Sequence, residues 1–177
     1  MQRKNQNIRE RFHGLKYKKM DARIISFLAL FIAFVALATL ISLRGPNLSY
    51  FNLGEVAIYT VALTFGGRAG AVSGAVGSAL ADILQGYFLP WAPITFIVKG
   101  IEGWLVGKIA DGHKWKKSIV AVLAGGHVMI IGYGLTSAIF YGWPAGLQEI
   151  GIDYVQMILG GAAAIPLSAK LNSYFGK

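Results

Sequence analysis

Long apolar stretches, separated by short breaks that contain glycine, proline or charged residues, dominate this chain. The first stretch runs from Ala22 to Leu43 without a charge after Arg23, and the breakers Arg44-Gly45-Pro46-Asn47 end it. About 20 consecutive apolar residues are enough for a helix to span a bilayer. The pattern therefore predicts a first membrane helix that is kept in the protein, because no cleavage site of the signal-peptide type follows it.

The same pattern predicts five further helices. Their expected limits are Gly54–Phe65, Ala69–Gln85, Ile94–Ala110, Ser118–Tyr141 and Ile152–Tyr174, with loops between them that include 44–53, 86–93, 111–117 and 142–151. The second helix is short for a full span, which favours a tilted helix or one that contacts protein rather than lipid. We expect an all-α membrane protein, a bundle of six transmembrane helices.

Composition supports a membrane protein. The 177 residues are 55% hydrophobic and 14% charged, with a mean hydropathy of +0.54. Soluble domains average about 25% charged residues because their surfaces must be solvated. The shortage of charge therefore argues against a soluble surface. The chain has no cysteine, which excludes disulfides and cysteine-bound metals.

The positive charge is concentrated near the start of the chain. Eight of the 17 Lys and Arg residues lie in the first 23 positions, and four more (Lys108, Lys114, Lys116 and Lys117) surround the loop after the fourth helix. Basic segments stay in the cytoplasm, where they also contact anionic lipid. We expect a basic cytoplasmic tail (1–21), a membrane domain (22–177) and both termini inside. Nucleic-acid binding is disfavoured because no basic and aromatic interleaving continues beyond the tail.

One part of the chain carries a specific resemblance. It is the pattern Gly54-Glu55…Leu63-x-Phe65-Gly66…Gly70…Gly77-Ser78-Ala79-x-Ala81-Asp82, followed by Trp91-Ala92-Pro93-Ile94-Thr95-x-Ile97-x-Lys99-Gly100-x-x-Gly103-x-x-Val106-Gly107. This pattern resembles the substrate-binding S components of energy-coupling factor (ECF) vitamin transporters. It is most similar to the riboflavin-like branch that includes hydroxymethylpyrimidine and pyridoxine importers.

The resemblance implies a function and partners. It implies a non-catalytic subunit of a bacterial plasma membrane importer that captures a small vitamin or precursor from outside. The partners it implies are a transmembrane coupling subunit and two ATP-binding subunits. The family motif Ala-x-x-x-Ala matches Ala29 and Ala33, with Ala36 on nearly the same face, which would form the interface with the coupling subunit. Alanines at this spacing also suit packing inside the bundle, which is the alternative.

Two charged residues lie within the predicted fourth helix. An ionisable side chain at mid-helix costs about 2.5–3.5 kcal/mol on insertion scales, so each needs a reason. Lys99 and Glu102 are three residues apart and share a face with Thr95. They either form the floor of a ligand pocket open to the outside, or form a structural pair that ties this helix to Asp82. Both interpretations can hold together.

Other polar and aromatic residues complete the candidate site. We expect ligand contacts from Asn52, Asp82, Tyr87, Trp91, Thr95, Lys99, Glu102, His127 and Tyr133. The aromatic members suit stacking on a flat ring, although interface anchoring is their alternative role. His127 also suits a hydrogen bond between helices, and of Tyr154 and Gln156 at most one is expected to face the site. Glu55, at the start of a helix, is assigned to helix capping.

The sequence contains no motif that indicates catalysis. The chain contains no Gly-x-x-x-x-Gly-Lys-[Ser/Thr] phosphate-binding loop and no histidine or carboxylate cluster with metal-ligand spacing, so we expect neither ATP hydrolysis nor a metal or other cofactor. Two other functions stay open. A self-sufficient secondary transporter would carry an internal repeat with broken helices, which we do not find. A non-transporting scaffold would bind no small molecule tightly.

Overall fold

A computed structural model describes residues 22–44, 50–86, 91–110 and 114–175 of the chain. Within these ranges it has six helices and one pair of short strands. They are α1 (Ala22–Leu40), β1 (Ser42–Arg44), β2 (Tyr50–Asn52), α2 (Gly54–Phe65), α3 (Gly67–Gln85), α4 (Trp91–Ile109), α5 (Trp115–Tyr141) and α6 (Trp143–Phe175). The predicted tail and Tyr87 lie outside the described residues.

The helical prediction is confirmed for six helices, but the loop predicted over 142–151 is wrong. Gly142 ends α5 with φ 90°, and α6 begins at the next residue. Pro144 suggested a loop, but a proline is compatible with the first turn of a helix, and Pro144 lies in the first turn of α6. The sixth helix is therefore 33 residues long. At 1.5 Å per residue it measures about 50 Å, longer than the roughly 30 Å hydrocarbon core.

The first helix ends at Leu40 rather than at the predicted Leu43, and a hairpin of β1 and β2 follows it, in the end of the predicted helix and in the loop predicted over 44–53. β1 and β2 pair antiparallel, with Leu43 opposite Phe51. Two side chains attach this hairpin to the bundle. Ser42 Oγ donates to Gln85 Oε1 at 2.9 Å, and the backbone N–H of Asn52 donates to Gln156 Oε1 at 2.9 Å. The fold class is thus a helical bundle with one small hairpin at one end.

The outer surface of the bundle is apolar. Leu30, Leu37 and Ile139 are 61%, 64% and 77% exposed. Such a surface matches a lipid environment and would be costly in water. Among the described helices, α1, α5 and α6 are long and apolar enough to cross a membrane by length and composition. Helices α3 and α4 have 19 residues each but are diluted by glycine, serine and charged residues.

The short helix α2 lies at the centre of the bundle. Eleven of its 12 residues are buried, and it packs against α1, α3, α4 and α6. Tyr59, at 0% exposure, belongs to the main core cluster with Val106, Met129 and Met157. A helix of 12 residues is only about 18 Å long. Neighbouring helices, rather than lipid, therefore cover α2. This agrees with the sequence-based alternative of a helix that contacts protein.

Helices α3 and α4 pack with their backbones in direct contact. An added Cβ at Gly70 would lie 2.6 Å from the carbonyl oxygen of Gly103, and one at Gly67 would lie 2.6 Å from the carbonyl oxygen of Trp104. The two backbones are thus in contact, which only glycine permits. This pair carries Asp82 on one helix and Lys99 on the other, so the close packing fixes their relative positions.

The close approach of α3 and α4 generates a prediction for Gly70→Ala. The new Cβ would also lie 2.7 Å from Ala62 Cβ. On its other side lies the backbone of Gly103, which cannot move away without a cost in free energy. We expect a loss of about 1–3 kcal/mol in the free energy of unfolding. Equilibrium unfolding in mixed micelles with a denaturing detergent measures it.

Gly151→Ala is the matched control. It is a helical glycine on the exposed side of α6, and apart from its chain neighbours and its own helix backbone no described atom lies within 4 Å of its added Cβ. Here we expect no loss, and a gain of up to about 1 kcal/mol from helix propensity. Equal stability changes in the two variants would contradict the packing argument.

Candidate functional site

A polar cavity lies at the hairpin end of the bundle. Its volume is about 30 Å³, and its lining comprises Thr39, Asn52, Ser78, Asp82, Trp91, Thr95, Lys99, Tyr133, Glu149, Asp153 and Gln156. The residues converge because α3 and α5 end at this side of the bundle, whereas α4 and α6 begin there. Two of the eleven side chains, Trp91 and Tyr133, are aromatic, and the other nine are polar or charged. The lining thus combines hydrogen-bonding groups with two aromatic rings.

An ion-pair cluster forms one boundary of the cavity. Lys99 Nζ pairs with Glu55 and lies 3.1 Å from Glu102 Oε2 and 2.8 Å from Met129 Sδ. Tyr59 donates its hydroxyl to Glu102 Oε1 at 2.8 Å. Glu55 and Glu102 are 1% and 0% exposed. Charges buried this deeply are stable only when paired, so the cluster joins α2 and α4.

The assignment of Glu55 to capping alone is corrected by this cluster. Glu55 lies in the first turn of α2, near the positive end of the helix dipole, but no side-chain cap is formed there. Its carboxylate instead pairs with Lys99. The sequence showed the acidic residue beside a helix start but not the lysine 44 positions later that faces it.

Three further carboxyl groups line the cavity itself. Asp82 comes from α3, and Glu149 and Asp153 come from α6. Asp153 is 0% exposed, and its Oδ1 accepts a hydrogen bond from Gln156 Nε2 at 3.1 Å. Its Oδ2 has no hydrogen-bond partner among the described residues, nor do Ser78 Oγ and Trp91 Nε1. Buried polar groups without partners are rare in folded proteins, and here three of them border one cavity.

Most of the predicted site residues do come together. Asn52, Asp82, Trp91, Thr95, Lys99 and Tyr133 line the cavity, and Glu102 lies against Lys99. The Tyr133 hydroxyl donates to Thr95 Oγ1 at 3.1 Å, and its ring centroid is 5.3 Å from Lys99 Nζ. The Trp91 and Tyr133 rings meet edge to face, 6.1 Å apart. This pair supplies the aromatic part of the lining.

His127 does not reach the cavity. Its side chain is exposed, and its Nδ1 lies 2.7 Å from the carbonyl oxygen of Leu123. Tyr133 is six residues further on, which is about 240° around the helix, so the two residues face different sides. The Tyr154 hydroxyl lies 3.4 Å from His127 Nε2 on the same outer surface. Gln156, and not Tyr154, is therefore the member of that pair that faces the site.

Five lining residues were not in the expected set of ligand contacts: Thr39, Ser78, Glu149, Asp153 and Gln156, of which the sequence indicated only Gln156, as an alternative to Tyr154. A signal for three of them was present. Positions 149, 153 and 156 have the spacing of one helix face. The erroneous loop over 142–151 separated Glu149 from the other two and hid this pattern.

The proposed partner stripe on α1 is accessible. Ala29 and Ala33 are exposed, and Ala36 is half-buried. The bundle therefore does not cover the first two alanines. The alternative that they serve internal packing is not supported for these two positions.

Comparisons with known proteins give a family model and two relatives. A family model described as the S component of the ECF-type riboflavin transporter matches residues 19–173. The thiamine precursor transporter HmpT of Lactococcus lactis subsp. cremoris (strain MG1363) is 29% identical over 161 residues, covering 88% of this chain and 93% of that protein. An uncharacterized protein of Pyrococcus woesei is 38% identical over 128 residues, covering 70% of this chain and 85% of its own length.

The ion-pair cluster generates a prediction for Lys99→Met. Removing the ammonium leaves two buried carboxylates facing each other, so we expect a loss of about 3–5 kcal/mol in the free energy of unfolding. Adding Glu55→Gln and Glu102→Gln should recover much of that loss, because no uncompensated charge then remains. Detergent unfolding of the single, double and triple variants measures the coupling.

Lys108→Met on the same helix is the control for this series. Lys108 is exposed and lies 4.4 Å from the ring centroid of Trp104, a contact worth about 0.5–1 kcal/mol. If the Lys99 and Lys108 variants lose equal stability, Lys99 does not hold a charge cluster together.

Proposed function

Because this chain belongs to the S component family of ECF-type riboflavin transporters, we propose that it captures a small vitamin precursor as the substrate-binding subunit of an ATP-driven importer. The observation that carries this proposal is the polar cavity at one end of an apolar helical bundle, with buried donors and acceptors at its wall. A membrane protein builds such a costly site for a ligand or a transport path. S components are transporter subunits and not enzymes.

The size of the cavity favours a small ligand. A volume of about 30 Å³ accommodates one or two water molecules. Even a single aromatic ring requires the lining to open, and a flavin requires far more. The relative HmpT is a transporter of a thiamine precursor. We therefore propose a pyrimidine precursor of thiamine, held beside the rings of Trp91 and Tyr133.

The charge distribution supports a cavity that faces outward. Arg23, Arg68, Lys108 and Lys114 lie at the starts or ends of helices on the side opposite the hairpin, and Lys170 lies in the last turns of α6 on that same side. Under the positive-inside rule this side belongs in the cytoplasm. We propose that the termini are cytoplasmic and that the ligand enters past the hairpin, at the outer face of the plasma membrane.

Closure is assigned to the hairpin of β1 and β2. It borders the cavity through Asn52 and is attached to α6 by Gln156 and to α3 by Gln85. Ligand binding favours the closed arrangement only if the ligand makes contacts there that the open arrangement lacks. The transmembrane coupling subunit and the two ATP-binding subunits would then drive release to the inside.

Binding and uptake assays test this function. We expect the purified chain to bind 4-amino-5-hydroxymethyl-2-methylpyrimidine in a one-to-one complex by isothermal titration calorimetry. We expect proteoliposomes to accumulate it only when the coupling and ATP-binding subunits are present with ATP. Uptake by the chain alone would instead indicate a secondary transporter. A chain that binds neither this compound nor any vitamin would indicate a scaffold.

The exposed alanines of α1 generate a second prediction. Ala33→Leu should reduce co-purification with the coupling subunit and reduce uptake by about 10-fold or more, because a larger side chain separates two closely packed helices. Binding of the pyrimidine by the isolated variant should not change, since Ala33 is exposed and is not one of the residues that line the cavity.

Ala163→Leu is the matched control. Ala163 is an exposed alanine of α6, so the same volume is added to another surface of the bundle. We expect normal assembly and uptake. An intact complex with normal uptake in the Ala33 variant would remove the stripe from the interface.

A further inference from the structure

We propose that Glu149 and Asp153 of α6, rather than Lys99, determine which ligand the cavity accepts, and that they select an unphosphorylated ring with an amino group. This inference rests on the proposed function, because it concerns the same cavity. It differs from the sequence-based expectation, in which Lys99 was one of the ligand contacts and Glu149 and Asp153 were not. Three features of the cavity support it.

The first feature is that Lys99 is already engaged. An ammonium group has three N–H donors. Lys99 Nζ already has three close polar neighbours: Glu55, Glu102 Oε2 at 3.1 Å and Met129 Sδ at 2.8 Å. A ligand that took a hydrogen bond from Lys99 would have to displace one of them. The lysine therefore serves to neutralise the cluster, and it has little capacity left to attract a ligand anion.

The second feature is the unused hydrogen-bonding capacity of α6. Asp153 is fully buried, and Gln156 Nε2 holds its Oδ1 while Oδ2 has no partner among the described residues. Glu149 lies one helical turn earlier, also buried, and lines the same cavity. Carboxylate oxygens accept hydrogen bonds, and a buried acceptor without a donor is costly. A ligand with N–H donors would satisfy Oδ2 of Asp153, and Glu149 offers a second acceptor at the same cavity.

The third feature is the balance of charge. Asp82, Glu149 and Asp153 line the cavity, and Glu55 and Glu102 lie directly behind Lys99. These are five carboxyl groups and one ammonium among the residues that the structure describes around this site. A phosphate ester would bring anionic oxygens that need a cation or several donors into a site whose one ammonium is already paired with two carboxyl groups. An amino group next to a ring nitrogen presents the opposite polarity.

Amino-substituted pyrimidines fit this chemistry. The exocyclic amino group donates N–H bonds, and a protonated neighbouring ring nitrogen adds a second donor. Two parallel donors of this kind match a carboxylate, as a guanidinium does, and here Oδ2 of Asp153 is open while Oδ1 would be shared with Gln156. The indole N–H of Trp91 and the hydroxyl of Ser78 remain for the acceptor groups of the ligand. Asp153 is thus a specificity-determining residue, and Gln156 positions it.

Three probes of nearly the same shape test the inference by calorimetry. They are 4-amino-5-hydroxymethyl-2-methylpyrimidine, its 4-oxo analogue and its phosphate ester. We expect the amino compound to bind the wild-type chain more tightly than the 4-oxo analogue by about 10- to 150-fold, the equivalent of one hydrogen bond to a charged group. The phosphate ester should bind at least about 100-fold more weakly than the amino compound.

Variants of α6 locate the source of the preference. Asp153→Asn keeps an acceptor and adds a donor, so the amino compound should bind about 10- to 150-fold more weakly and the 4-oxo analogue should gain relative to it. Glu149→Gln should shift the ratio in the same direction. Tyr154→Phe is the matched control, because Tyr154 adjoins Asp153 but is exposed on the outer surface, and its ratio should equal that of the wild type.

The outcomes separate this inference from the proposed function. Equal wild-type affinities for the amino and 4-oxo probes, or a ratio unchanged in both acidic variants, would overturn the inference and leave precursor capture intact. Tight binding of the phosphate ester would overturn it as well. If neither unphosphorylated probe binds the wild-type chain, and no vitamin does, the proposed function itself fails. Should Asp153→Asn not fold, Glu149→Gln supplies the comparison.

Discussion

The pairing of one buried ammonium with two buried carboxylates organises the interior of this bundle. Lys99 reaches Glu55 on α2 and Glu102 on its own helix, and none of the three is more than 5% exposed. In a low-dielectric interior each charge alone would be strongly unfavourable, so the three must stay together. Because α2 is too short to be anchored by lipid at both ends, this cluster fixes its position beneath the cavity. The cavity therefore depends on the ion pairs.

The ion pairs in turn depend on glycines of the neighbouring helices. A Cβ at Gly74 would lie 2.7 Å from the carbonyl oxygen of Lys99, and one at Gly125 would lie 3.2 Å from that of Glu102. A Cβ at Gly160 would overlap the Cβ of Glu55. Each charged residue is thus covered by a glycine from another helix, whose backbone approaches as closely as sterics allow. This close cover limits the contact of the cluster with water to the side that faces the cavity, and the lower dielectric strengthens its electrostatic attraction.

A site residue could be predicted from the sequence where its polarity differed clearly from that of its neighbours along the chain. Lys99 and Glu102 were predictable because charges within an apolar helix stand out. Glu149 was not, because it follows a proline and two glycines that suggest a loop, although helical spacing from Asp153 connects it to the site. The hairpin escaped prediction because strands of three residues leave no periodic signal. Helix ends followed by a glycine at positive φ, such as the end of α5 before Gly142, were predicted best.

The side chain of Gln156 connects the hairpin to the recognition groups of the cavity. Its Oε1 accepts the backbone N–H of Asn52 on β2, while its Nε2 donates to Asp153 in the cavity. Asn52 Oδ1 accepts the N–H of Gly54 at 2.7 Å, at the start of the helix that carries Glu55. A ligand that binds the other oxygen of Asp153 would hold this carboxylate, and with it Gln156 and the hairpin, in the closed geometry. Under the proposed function, this short chain of hydrogen bonds would give the ligand the differential contacts that closure requires.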